Sequence, residues 1–244
     1  MNITENSTVC GDATVCGDAT VSGEAIVKGH ATVSGAAQVS DRAIVNGSAR
    51  VSGHSWVSGD AIANERARVS GNAHVSGYAT VSGDAVVTEN STVSGYAWIS
   101  GESIVRGHAI VSGDVHVSGY ATVRGGAHVS GSATVSGGTH VSGEAKVSGN
   151  VSLSDNAHVS GTAVVTEQKH VAWGKFKARS GYYMLTLYMQ ADGSVGFTWG
   201  CREGTDLRAY LVRHWDYAAS GLDVAVLAFL REFERANGIV VEYV

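Results

Sequence analysis

The chain has 244 residues, a formal net charge of −5 and a pI near 6.0, a balance that excludes a generally basic nucleic-acid binder and leaves only a local cationic stripe. It contains 32 glycines, no proline and 3 cysteines, too few thiols for a disulfide framework. No apolar run reaches membrane length and the opening MNITENSTV lacks a signal-peptide layout, so the expected setting is cytoplasmic or a virion component, without membrane contact.

From Ile3 onward every sixth residue is aliphatic, through Val9, Val15 and Val21 to Val159, Val165 and Val171, with Ala63, Ile99 and Leu153 the departures from valine after the first. The commonest unit is V-S-G-x-A-x, with Ala or another small residue four places after the valine. So short and strict a period predicts a solenoid. Within A-x-V-S the small residue and the valine stand two apart, so in an extended segment both face inward while x and Ser face out. Gly and the residue after it make a corner, since glycine takes left-handed backbone angles without a Cβ clash. Where glycine is missing its replacements are acidic: Glu5, Asp41, Glu65, Glu89, Asp155 and Glu167. Strands this short, with no helical period, predict a parallel β-helix, and the lack of proline suits a backbone whose amides pair along the stack.

The units, V-S-G-D-A-T among them, resemble the hexapeptide-repeat proteins from residue 3 to 171. The resemblance implies a left-handed β-helix with three hexads per coil, a handedness that the period alone does not give. It also implies a trimer and, in the enzymes of that family, CoA-dependent acyl transfer by a histidine base between subunits. The serine that follows most of the valines is closer to the V-S-G-x-A-x arrays of uncharacterised bacterial and phage proteins. Nine to ten coils at about 4.8 Å each make a rod roughly 45 Å long. The expected fold is therefore mainly β, a β-helix over 1–170 followed by a small α+β module over 171–244. Met1 and Asn2 lead straight into the first hexad, so the edges of the first rung stand uncovered and N-end to N-end pairing, or docking of that end, is expected.

Unrolled at three hexads per coil, one outward column places Ile26, Ile44 and Ile62 in consecutive coils, with Trp98 two coils on. β-branched residues suit strands anywhere, but a contiguous apolar ladder also predicts a subunit interface. A second face collects Arg50, Arg68, Arg106, Arg124, His140 and His158. It reads as solubilising charge or as a site for an anionic ligand or partner. The third face has no theme, and at a corner Tyr78 lies directly below Tyr96.

The 10 histidines mostly scatter, and the stacked His140 and His158, without Asp, Glu or Cys between them, make a poor metal site, so no metal and no cofactor are expected. His116, beside Trp98, is the candidate base for acyl transfer, yet no loop leaves the coils to wall a substrate site. Scattered Thr-x-Ser pairs do not form the ranks that ice binding needs. Cys10 and Cys16 fall on adjacent outer faces that point apart.

After the array, VAWGKFK and YYMLTLYMQ read as strands, ADGS as a turn and VGFTWGC as a hairpin partner. Thr205 is the expected cap of a helix over 206–214, and a second helix over 222–236 presents Val226, Leu227, Leu230 and Phe233 before Asn237-Gly238 ends it. IVVEYV reads as a last strand. Cys201, His214 and Asp216 do not carry the surroundings of a nucleophile motif. The expected function is a non-enzymatic oligomeric rod with a C-terminal binding or assembly module, with acyl transfer at an inter-subunit site as the alternative.

Overall fold

In the computed structural model, which describes residues 2–4, 6–178, 181–200, 202–213 and 222–239, each hexad forms a two-residue strand. Strands one coil apart pair in parallel, as in Thr8↔Ile26 and Val9↔Val27. Three sheets result: face A, beginning at Asn2–Ile3, has 10 strands, and faces B and C, beginning at Thr8–Val9 and Thr14–Val15, have 9 each. The chain is a parallel β-solenoid in the register expected from the period. Each coil buries its valines and alanines along one axis, and Val21, Val75, Ala127 and Val165 are all 0 % exposed. A buried valine contributes about 1.5–3 kcal/mol.

Serine at the small position is tolerated because it bonds locally. The buried hydroxyls of Ser91 and Ser103 donate to the carbonyls of Thr88 and Ser100 at 2.7 Å, and that of Ser55 to Ser52 at 2.8 Å. At the corners Asp41, Glu65, Glu89 and Asp155 hold φ between 56° and 63°, a conformation costing an L-residue about 1–2 kcal/mol. For two of them the side chain compensates: the Asp41 carboxylate accepts the Gly59 N–H one coil on at 2.9 Å, and Glu65 accepts that of Gly83 at 2.6 Å. Glu5 lies outside the described residues.

The array stops one hexad earlier than its pattern. Val165 closes the last solenoid strand, and the next hexad puts Lys169 where a small inward residue is required. An ammonium does not enter a dry core unpaired, so Gln168–His170 turn out as a 3-10 helix. Glu167 is thereby extended, at φ −136°, and not a left-handed corner, while His170 leaves the face-B column and accepts the Thr166 and Glu167 N–H groups on Nδ1.

The C-terminal module is a 4-stranded antiparallel sheet of β1 (Val171–Ala178), β2 (Gly181–Met189), β3 (Val195–Trp199) and β4 (Arg202–Gly204), followed by α1 (Leu207–Arg213) and α2 (Leu222–Ala236). β4 is an addition to the expected strands. Asp206, not Thr205, caps α1, its carboxylate accepting the Ala209 N–H at 2.8 Å, which satisfies one of the free amides of the first turn. α2 ends as its sequence predicts: Gly238, at φ 71°, donates to Arg235, and Ile239 donates to Glu234, closing a Schellman motif. A bidentate pair between Arg208 and the 4 % exposed Glu234, at 2.6 Å twice, joins α1 to α2. The residues proposed as a last strand lie outside the described residues beyond Ile239.

The sheet is buried on both sides. Leu185, Leu187, Phe197 and Trp199 pack on the helices with Leu207, Val226, Leu230 and Phe233. The alternate residues Thr186, Tyr188 and Thr198, also buried, meet the end of the solenoid and replace the coil that is not there. Thr186 Oγ1 accepts the His158 N–H at 2.9 Å and Thr198 Oγ1 donates to the His158 carbonyl at 2.7 Å. Ala163 bridges Gln190 on face A, and Ser152 N–H finds Gln168 Oε1 at 2.8 Å on face B. Backbone groups that another coil would have paired are thus satisfied by side chains and, at Ala163, by the backbone of the module.

Candidate functional site: a cleft between face C and the C-terminal sheet

Where the module meets face C, coil and module residues line a concavity together. One lobe, of about 330 Å³, is lined by Arg124, His140, His158, Met184, Thr198 and Gly200. The other, of about 610 Å³, is lined by Arg106, Arg124, Ser142, Ser160, Glu89 and Glu203 among others. Arg124 and His158 belong to both.

Period and register position these groups. His140 and His158 occupy the outward place before the valine on neighbouring strands, and their rings stack with centroids 5.4 Å apart, tilted by 53°. Arg106 and Arg124 follow the valines of two neighbouring face-C strands, Val105 and Val123. Arg106 Nη1 approaches Glu89 Oε1 only to 3.9 Å. Among the described residues Arg124 has no ion pair, whereas the corner arginine Arg42 meets Asp60 at 2.6 Å and Arg66 pairs with Asp84. From the module's side, Ser160 donates to Glu203 Oε2 at 2.8 Å, so the Tyr188 hydroxyl, 3.0 Å from Ser160 Oγ, is left as a donor to that serine. Burial pushes the Tyr188 phenol above its ordinary value, which keeps that proton in place.

Burial first, and then the charge of Arg124, hold the His140 imidazole below the usual histidine range. Burial, His140 and Arg124 in that order lower His158, opposed by Glu203. Both rings are therefore neutral near pH 7 while each keeps one N–H. Among the described residues neither ring makes a hydrogen bond.

The arginine face expected from the sequence thus divides. Arg106, Arg124, His140 and His158 come together in the cleft. Arg50 and Arg68, although directly in register on face C, sit on flat coils far down the rod and line neither lobe. Ser142, Ser160, Thr198, Met184 and Glu203 are the cleft residues that sequence reasoning missed. The local sequence carries no signal for the module's contribution, since Thr186 and Thr198 read as the outward residues of half-exposed strands.

On face B the register runs Ile26↔Ile44↔Ile62, then Thr80, then Trp98↔His116. The isoleucines are half-buried within the coil surface, while Trp98 is 47 % exposed and donates its indole N–H to Ser82 at 3.2 Å. His116 meets Trp98 edge-on at 5.5 Å, and among the described residues it has no hydrogen-bond partner to orient it. Tyr78 and Tyr96 stack at 4.9 Å with planes 4° apart. Cys10 and Cys16 are exposed free thiols. Cys201, His214 and Asp216 lie outside the described residues. Among those described, no three His, Cys, Asp or Glu side chains gather as a metal site, and no helix is long and apolar enough to cross a membrane.

A family model described as YdcK beta solenoid repeat matches residues 37–53 and 67–83, coils in the lower half of the rod. No curated protein matches the chain. Repeat match and coordinates agree on a β-solenoid repeat protein.

Proposed function

We propose that the protein is a non-enzymatic, oligomeric scaffold: a left-handed rod whose face B joins it to other copies, a trimer by the hexapeptide resemblance, and whose C-terminal module is the binding or assembly end. The observation that carries this reading is the face-B ladder. Ile26, Ile44 and Ile62 align in consecutive coils with exposed Trp98 above them, and a contiguous apolar stripe on a rod calls for a covering surface. The array also runs from Thr8 to Val165 with strands at every hexad, so no loop leaves the coils in that span, and among the described residues His116 lacks the partner that would orient a general base. Both features favour a scaffold over acyl transfer.

The test is the mass in solution. Ile44→Lys together with Ile62→Lys places two charges on the stripe without touching the core, and light scattering is expected to show the oligomer falling to single chains. An unchanged mass refutes association through face B. Thermal protection by acetyl-CoA, abolished by His116→Ala, would replace the scaffold reading by acyl transfer.

A further inference from the structure

We propose that the cleft between face C and the C-terminal sheet binds a small molecule through a tetrahedral oxyanion, a phosphate or sulfate monoester, held by Arg124 and the neighbouring imidazoles of His140 and His158. The proposal stands apart from association through face B.

Charge supplies the first argument. Arg42 and Arg66 on the solenoid corners are neutralised by aspartates one coil away. In the cleft Arg106 has only a loose contact with Glu89, at 3.9 Å, and Arg124 has no carboxylate partner among the described residues. Glu203 does not take that role, because it accepts the Ser160 hydroxyl at 2.8 Å. A guanidinium that lines both lobes of a cleft with no anion beside it is the complement of one.

Donor number supplies the second. A planar carboxylate is satisfied by a single guanidinium fork, but the lobe at the imidazoles offers the Arg124 guanidinium and, beside it, two ring N–H groups free of other bonds among the described residues. Three or four oxygens pointing in different directions use such a set; two coplanar oxygens do not. The acids decide between a small ligand and a polymer. Glu89 and Glu203 line the same lobe as the arginines, so a chain of successive negative charges meets two like charges, whereas a single anionic group with a hydroxyl-bearing remainder has acceptors for those hydroxyls. The lobe with Met184 and Gly200 gives space beyond the anion.

The groups facing the imidazoles set the pH dependence. The rings face one another, Arg124 and Glu203; Arg106 and Glu89 lie across the cleft, and Tyr188 stands behind Ser160. In the empty cleft the cationic neighbour and burial keep both rings neutral. A bound oxyanion reverses the local field, so a ring takes up a proton on binding and affinity rises as pH falls from about 8 toward about 6.

Calorimetry on the full chain at low ionic strength, with inorganic phosphate, sulfate and glucose 6-phosphate as probes, tests this in two buffers of different ionisation enthalpy. Expected are binding of the monoester at least as tight as that of the free ions, proton uptake, and stronger binding at about pH 6 than at about pH 8. Arg124→Gln, a change at an exposed side chain, is expected to weaken binding about tenfold to a hundredfold, the worth of a charge-assisted bond. His140→Gln with His158→Gln should remove the proton uptake and the pH dependence. Arg50→Gln with Arg68→Gln should change nothing. No binding of any probe at either pH overturns the proposal, as does binding that falls equally in the Arg50/Arg68 variant, which would show diffuse attraction to the rod. Binding of the free ions without the monoester overturns the ligand class.

Discussion

The closure of the last coil by two threonines is open to a direct test. Thr186→Val and Thr198→Val keep the shape of side chains that are 0 % and 2 % exposed and remove only the hydroxyls that serve the His158 N–H and carbonyl. Each change strands one partly buried main-chain group at a cost of about 1–3 kcal/mol, so the pair costs about 2–6 kcal/mol. The module keeps other anchors, namely the Ala163–Gln190 bridge, Ala191 N–H on the Thr162 carbonyl at 3.1 Å and Asn237 on the Lys169 carbonyl at 2.7 Å. It is therefore expected to loosen without leaving. Because stacked coils touch only their neighbours, the loss should be local. Hydrogen exchange is the assay: amides from His158 to Val165 and along β2 should exchange at least about tenfold faster in the double variant, while those of Val33 to Val75 keep their protection. Unchanged exchange at His158, or acceleration spread evenly down the rod, would refute the argument that these hydroxyls stand in for a coil.

Gly77→Ala places a Cβ 3.0 Å from the Gly95 backbone N and 3.1 Å from its O at φ 68°, and is expected to cost more than the ~1–2 kcal/mol of the left-handed conformation alone; a melt with no shift would contradict it. The lowered pKa values of His140 and His158 mean that the unfolded chain binds more protons than the folded one between those lowered values and about 6.5. Their stabilising effect is then complete above about pH 6.5 and is lost as pH falls through the folded-state values. Denaturant titrations in phosphate-free buffer at about pH 7.5 and about pH 5.5 should show this slope, and His140→Gln with His158→Gln should flatten it.

Inward residues, face membership and stacking were readable from the period because a solenoid of fixed period leaves register no freedom: Trp98 over Thr80, Arg68 over Arg50 and Tyr96 over Tyr78 all follow from counting. The valine period continues to Val171, whereas the last solenoid strand ends at Val165 and the C-terminal sheet begins at Val171. Val171 does remain inward, 4 % exposed, but it does so from β1 of the C-terminal sheet, and Lys169 at the small position was the sign that no coil forms there. The two-sided sheet was illegible for a different reason. Thr186 between Leu185 and Leu187 has the alternation of a half-exposed strand, and only the coil end packed across it, 28 residues away in sequence at His158, makes that threonine a buried cap. No local pattern carries that information.

The same reasoning explains where a site arises on a rod of this kind. In a periodic stack each outward residue sees nearly the same surroundings as its neighbour one coil away, so an arginine on the open array is solvated whatever stands beside it. Arg50 and Arg68 illustrate this, stacked in register and exposed, where salt screens most of their field. A concave, partly desolvated environment requires the period to be broken. Where the C-terminal sheet meets face C, the repeat's own side chains acquire a wall: Arg124 and His158 each line both lobes of the resulting cleft, and burial is the first cause of the lowered imidazoles. Arg50 and Arg68 precede their valines on the open array, whereas Arg106 and Arg124 follow theirs and line the cleft. Since all four are exposed, removing each pair in turn separates attraction to the cleft from the general field of the rod.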